Sequence, residues 1–312
     1  MSIAETGEFG LIARVVARLD AGPKALLGPG DDAAVVSAPD GRVVASTDVL
    51  VEGRHFRRDW AGATDIGRRA AAANLADIVA MGAQPTALLV ALCTPPDLEA
   101  TWAEELASGL AAETALVGAG VVGGDLSASP TLTIAVTALG DLGGRAPVLR
   151  SGAQPGDVVA LAGRTGFAAG GYTILSRGFR TPKALVEAYR RPDVPYPAGP
   201  LAAAAGATAM IDVSDGLLQD LGHVAAASVV AIDVRTDAFT VPDQMRDAAT
   251  ALGVDPYQWL LAGGDDHALA ATFPPGVPLP AGWREIGSVH DGGGVTVDRK
   301  PWTGGTGWDH FR

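Results

Sequence analysis

The sequence predicts an α/β (α+β) protein of two domains. At 312 residues the chain is too long for a single small core and long enough for two ordinary domains. Strand-like and helix-like segments alternate in both halves. Between the halves lies DLGGRAPVLRSGAQPG (141–156), rich in Gly, Pro and polar residues, which reads as a linker. The expected domains are residues 1–145 and 150–312.

The first element is a helix in EFGLIARVVARLD, where Phe9, Ile12, Val15, Val16 and Leu19 recur at helical spacing. Glu5 and Glu8 stand where a secretory signal carries basic residues, and no cleavage site follows. Residues 33–51 read as two strands joined by the turn Pro39–Gly41. Residues 64–81 form an alanine-rich helix, opened by Thr64-Asp65 and closed by Gly82. TALLVALC (86–93) is a strand, and a helix from about Asp97 to Val117 starts after Pro95-Pro96. TLTIAVTAL (131–139) alternates in strand fashion and stops at Gly140. In the second half DVVALAG (157–163) is a strand. Helices are expected near 166–178, 198–206 and 215–227, and strands at 208–213, 229–234, 267–273 and 294–297.

Composition narrows the function. Hydrophobic residues make up 48% and charged residues 19%, as in a well-packed globular protein. A net charge of −12 argues against nucleic acid or an anionic membrane as the main partner. It leaves ATP open, because bound cations reverse the local sign of a site. The longest apolar stretches fall short of a membrane span, so a cytoplasmic protein is expected. Lys24, Lys183 and Lys300 are the only lysines, so arginine carries almost all the positive charge. The single cysteine, Cys93, excludes an internal disulfide and a Cys-based zinc site. Its apolar surroundings predict a buried structural thiol.

Seven aspartates mark the places where apolar runs give way to turns: Asp32, Asp48, Asp77, Asp125, Asp212, Asp215 and Asp265. Carboxylates beside buried strand and helix ends repel one another and are poorly solvated unless divalent cations neutralise them. Oxygen donors with no His/Cys cluster point to Mg²⁺, and Mg²⁺ held by aspartate points to phosphate chemistry. Each local pattern also has a plainer reading. GDD at 30–32 is equally a turn, and Ser46-Thr47-Asp48 is equally an ST-turn or cap. Asn74, one helical turn before Asp77, shares its face and is placed to orient it. Ser214 in IDVSDG reads as the N-cap of the following helix. GRTGFAAGG (163–171) follows a strand and opens a helix, so its amides suit either an anion or a tight turn. Walker, protein-kinase and dinucleotide-binding motifs are missing from the sequence.

Taken in order, GDDAAVV, STDVLVEGRHF, NLADIVAMGAQP, GGDLS, RSGAQPGD and IDVSDGLLQDLGH resemble the successive motifs of the thiamine-monophosphate kinase family. That family belongs to an ATP-binding superfamily with aminoimidazole ribonucleotide synthetase and selenophosphate synthetase. The resemblance runs from about residue 7 to the closing GWDHF. It implies an N-terminal dimerising sheet domain that binds ATP and Mg²⁺, and a C-terminal α/β domain that completes the metal and substrate site. A homodimer is implied, with ATP and thiamine monophosphate as substrates and several Mg²⁺ ions. Position by position, Asp32, Ser46, Thr47, Asp48, Asp77, Asp125, Asp212 and Asp215 correspond to metal-binding positions. Of these, Asp48, Asp125 and Asp215 are the expected catalytic carboxylates. Gly124, Asp125, Arg150 and Ser214 match nucleotide contacts, and His55, Asp265 and Trp308 match substrate contacts.

One motif departs. Where the family usually has GGEDYEL, this chain has GGDDHAL (263–269), which shortens an acid at Asp265 and puts His267 in place of an aromatic. Two other readings remain: another ATP-dependent synthetase of the superfamily, or a nucleotide-binding regulatory homologue without turnover. The selenophosphate enzyme needs a reactive Cys or selenocysteine near its N-terminus, which this chain lacks.

Overall fold

The computed structural model describes residues 2–6, 8–27 and 34–308. The chain divides into two compact units, one of residues 1–78 and 83–145, the other of 79–82 and 146–312. The architecture is mixed α/β, as the alternating pattern predicts.

The first unit opens with the short helix α1 (Ile3–Thr6) and with α2 (Glu8–Val16). Arg14 and Arg18 both pair with Glu104. A two-stranded sheet joins β1 (Ala25–Leu27) to β2 (Val35–Val36). Then come β3 (Val44–Val51), α3 (Ala63–Ala80), β4 (Gln84–Thr94), α4 (Ala100–Thr114), β5 (Gly120–Ala128) and β6 (Thr133–Asp141). The four long strands form a sheet in the order β3-β6-β4-β5. Its β3/β6 and β6/β4 pairs are antiparallel, and β4/β5 is parallel because α4 makes the crossover between them.

The two strands read in residues 33–51 are present as β2 and β3, with the turn between them, but they do not pair with each other. β2 pairs with β1, whereas all eight residues of β3 pair with β6. A full-length ladder offers β3 far more than a two-residue partner could. β5 was not expected, since its Gly-Gly pair weakens the strand signal. Ile66, Leu75 and Ile78 of α3, Leu106 of α4, Leu88 of β4 and Ile134 and Val136 of β6 are buried, and they form this unit's core.

The second unit contains β7 (Val158–Ala162), α5 (Phe167–Ser176), α6 (Lys183–Arg190), α7 (Ala198–Ala204), β8 (Ala209–Val213) and α8 (Leu217–Ser228). It continues with β9 (Ala231–Val234), α9 (Asp243–Leu252), α10 (Pro256–Ala262), β10 (Ala268–Phe273), β11 (Trp283–His290) and β12 (Gly294–Val297). Its six strands run β12-β9-β11-β7-β10-β8, antiparallel except for β12/β9. Every residue of β10 is buried, and Phe273 packs edge-on against Trp283 with ring centroids 5.6 Å apart. Among the described residues no helix is long and apolar enough to cross a membrane.

Candidate phosphoryl-transfer site

In the first unit the pleat of β3 sorts the predicted ligands. Ser46, Asp48 and Leu50 lie on the half-buried or buried side, and Ala45, Thr47 and Val49 on the exposed side. Ser46 Oγ donates to Asp77 Oδ2 at 2.5 Å. The main-chain N–H of Asp48 donates to Asn74 Oδ1 at 3.1 Å, and Asn74 Nδ2 donates to the Ala70 carbonyl at 3.0 Å. Asn74 therefore fixes Asp48 and not Asp77, whose partner is Ser46. The three residues 46–48 do not present two hydroxyls together either. Thr47 Oγ1 donates to the Val136 carbonyl at 2.9 Å and accepts from Thr137 at 3.1 Å, on the other face.

Asp125 stands apart. It is exposed on β5, in register with Ala91 of β4. The strand order puts β6 and β4 between it and β3, a separation of about 14 Å at the usual spacing. Gly124 beside it is fixed by close approach, since a Cβ there would strike the Val90 carbonyl. His55 is half-buried in the turn after β3. Its Nδ1 accepts from the Val51 N–H at 2.9 Å, which leaves the proton of the neutral ring on Nε2. Cys93 is half-buried, less enclosed than its neighbours predict. Asp32 lies outside the described residues.

In the second unit Asp212 is the penultimate residue of β8 and is 4% exposed. Its Oδ2 lies 3.3 Å from His267 Nδ1. The ladder between β8 and β10 continues into the flanking loops. His267 N–H donates to the Val213 carbonyl at 3.1 Å, and Asp265 N–H to the Ser214 carbonyl at 2.7 Å. Asp265 and His267 both take positive φ, 69° and 51°, so these bonds hold backbone that side-chain-bearing residues rarely adopt.

Ser214 is not the N-cap of α8. The cap residue is Gly216, and Asp220 Oδ2 accepts the N–H groups of Asp215 and Gly216, each at 3.1 Å. Burial, then the charge of Asp212, with Asp215 adding, pushes the Asp220 carboxyl up to about 7 against those bonds. Arg150 is exposed, and its carbonyl accepts from Ser228 Oγ at 2.9 Å. Trp308 is 48% exposed, with its N–H donated to the Asp215 carbonyl at 3.0 Å.

Behind the glycine-rich loop, the first turn of α5 already holds a carboxylate: Asp266 Oδ1 accepts from the Ala168 N–H at 3.1 Å. The group is fully enclosed, and burial pushes its carboxyl up to about 7. Asp220, Asp266 and the Asp212–His267 pair were missed by sequence reasoning. An Asp four residues after a helix-opening Gly was the available signal for Asp220.

No group of three or more His, Cys, Asp or Glu among the described residues is close enough to hold a metal ion by itself. What is present suits Mg²⁺ nonetheless. Mg²⁺ usually keeps several waters and takes one or two carboxylates together with substrate phosphates. The Ser46–Asp77 pair supplies hard oxygens. The crowding of Asp212, Asp215 and Asp220, with Asp220 driven toward its neutral form, is a charge arrangement that a cation would relieve.

Comparison with known proteins gives the family. Residues 30–142 match the family described as "AIR synthase related protein, N-terminal domain". A curated thiamine-monophosphate kinase of Mycobacterium tuberculosis is 50% identical over 312 residues, covering 99% of this chain and 93% of its own length. A solved thiamine-monophosphate kinase from Stenotrophomonas maltophilia superposes with a TM-score of 0.79 at 34% identity, over 97% of this chain and 99% of its own. The structure described as "AaThiL complexed with AMPPCP and TMP" superposes with a TM-score of 0.82 at 31% identity, over 100% and 99% of the two chains. With half of its residues shared along nearly its whole length, this chain belongs to the thiamine-monophosphate kinase family.

Proposed function

We propose that the chain transfers the terminal phosphoryl group of ATP to the phosphate of thiamine monophosphate, giving thiamine diphosphate and ADP in thiamine diphosphate biosynthesis. The observation that carries this reading is the full-length match to a thiamine-monophosphate kinase at 50% identity. A related structure binds AMPPCP and TMP together, as a direct transfer between nucleotide and acceptor requires.

The acceptor phosphate is already largely ionised near neutral pH, so no strong general base is needed. Its oxygen attacks the terminal phosphorus of ATP in line; a new P–O bond forms as the bond to ADP breaks, and ADP keeps the electron pair. The obstacle is repulsion between two anions. When bound, several Mg²⁺ ions supply neutralisation of the phosphates and of the leaving group. Ser46, Asp48 and Asp77 in the first unit, and Asp212 and Asp215 in the second, are the residues proposed to hold them. Asp125, apart from the first group, is assigned a separate ion beside the nucleotide, and Gly124 next to it is assigned to the nucleotide as well. Arg150 offers a planar donor to the nucleotide phosphates. His55, Asp265 and Trp308 are assigned to the acceptor, with the exposed indole giving its rings a stacking face.

The first unit is also proposed to carry a homodimer contact. Val49 of β3 and Leu89 of β4 are 48% and 38% exposed on the face of its sheet away from Asp48 and Leu50, and apolar surface of this kind suits a second copy.

The test is ADP release from Mg-ATP with thiamine monophosphate, with thiamine, or with buffer alone. Stimulation by thiamine monophosphate is expected. A chain that binds Mg-ATP normally but is not stimulated is a regulatory homologue, and the kinase reading fails.

A further inference from the structure

Segment 302–308 is fastened to the first turn of α8 by more than the Trp308 bond to Asp215. Gln219 N–H donates to the Thr306 carbonyl at 3.1 Å, and Gln219 Nε2 donates to the Trp308 carbonyl at 2.8 Å. Both main-chain groups of Trp308 are thus tied, one to Asp215 and one to Gln219, while its indole stays half exposed. The segment also lies flat against glutamine side chains. A Cβ on Gly307 would strike the Gln219 side chain, and one on Gly304 would strike that of Gln258 on α10. Trp302 Nε1 donates to the Gly305 carbonyl at 3.0 Å and closes the turn between them.

We propose that Gln219 is a positioning residue for the organic rings of the phosphate acceptor, acting through Trp308. The inference rests on the kinase reading above and on the assignment of Trp308 to the acceptor. An exposed indole on a free backbone samples many orientations, and a substrate must then order it on binding. Gln219 removes that cost by fixing the backbone at Thr306 and Trp308 to the helix that directly follows Asp215. The ring-stacking surface and the metal-binding loop then keep a constant separation, which sets how far a ligand's rings stand from its phosphate. Gln219 touches neither the phosphates nor the nucleotide in this scheme, so its effect is confined to the acceptor.

The test uses the full chain, with kcat and both KM values measured for wild type, Gln219→Ala, Trp308→Ala and the double variant. Losing one side-chain hydrogen bond to the backbone predicts a rise in KM for thiamine monophosphate of about five- to tenfold in Gln219→Ala. Its KM for ATP and its kcat should stay within about twofold of wild type, because binding energy common to ground and transition states affects KM alone. The double variant should be no worse than Trp308→Ala, since one residue acts through the other. Additive losses, or an equal rise in KM for ATP, overturn the proposal. If Gln219→Ala does not fold by circular dichroism, Gln219→Glu keeps the volume and removes the Nε2 donor, and the same pattern is expected. Failure of both variants to fold makes Gln219 purely structural and also overturns it. A wild-type chain that binds Mg-ATP but is not stimulated by thiamine monophosphate defeats the kinase reading first, and the proposal with it. Normal wild-type activity with additive variants defeats the proposal alone.

Discussion

The Ser46 hydroxyl donates to the Asp77 carboxylate at 2.5 Å, joining β3 to α3 where the first unit's predicted metal ligands lie. A carboxylate held in this way has one oxygen oriented by the hydroxyl. Ser46→Ala should fold normally and weaken apparent Mg²⁺ affinity about tenfold, the lower end for losing an orienting partner. Asp77→Asn should lower kcat on the order of a hundredfold, as loss of a charge-stabilising group does. A magnesium titration of steady-state rate checks both, and unchanged curves would remove the pair from the site.

Asp125 is exposed on β5 and supports no packing. Asp125→Asn should therefore leave the melting temperature unchanged and abolish Mg-dependent turnover. Undiminished activity would reject it as a ligand.

Asn74 is fully buried, with its amide committed to Asp48 N–H and the Ala70 carbonyl. Asn74→Ala leaves a main-chain donor without its partner, at a cost of about 1–3 kcal/mol. Urea unfolding should show the midpoint moving down with the slope unchanged. Activity should fall too, because the same bond sets the position of Asp48.

Asp266 gives a pH dependence with a definite sign. Burial raises its carboxyl from 3.8 to about 7 in the folded chain. The folded state thus binds the proton more tightly than the unfolded state does. Its contribution to stability is fully present below the unfolded value and is lost as pH rises through about 7. Asp266→Asn keeps an acceptor for the Ala168 N–H and cannot ionise. Thermal melts from pH 5 to pH 8 should decline less steeply for this variant than for wild type; parallel curves would place the ionisation elsewhere.

If the exposed sheet face carries a dimer, a charge placed there should break it. Leu89→Arg and Val49→Glu should elute as monomers in size exclusion with light scattering, against a dimeric wild type. A monomeric wild type, or dimeric variants, would reject the face as the contact.

Much of the fold was legible in the sequence, because its long elements carry strong periodicity. The alanine-rich stretch at 64–81 became α3 almost residue for residue, and TLTIAVTAL became β6. The two strands in 33–51 were legible, but local turn chemistry cannot weigh β6, the distant and longer partner that β3 takes. α9 and α10 went unassigned, being short polar and aromatic segments that tertiary packing completes. Within the site, the residue types were legible and their partners were not. Nothing in NLAD says that Asn74 bonds to a strand twenty-six residues earlier and leaves Asp77 to Ser46. Strand alternation was the one rule that could have separated Thr47 from Ser46 and Asp48 in advance.

The second sheet carries a consequence for how the chain is made. Ala162 of β7 pairs with Leu269 on one side and Trp283 on the other, both more than a hundred residues downstream. A nascent chain must therefore emerge almost completely before its central strand finds either neighbour. Until then VVALA is an apolar segment with two open edges, which invites aggregation during synthesis. Folding of this unit should be slow and post-translational, and a chain cut short before β10 should be insoluble.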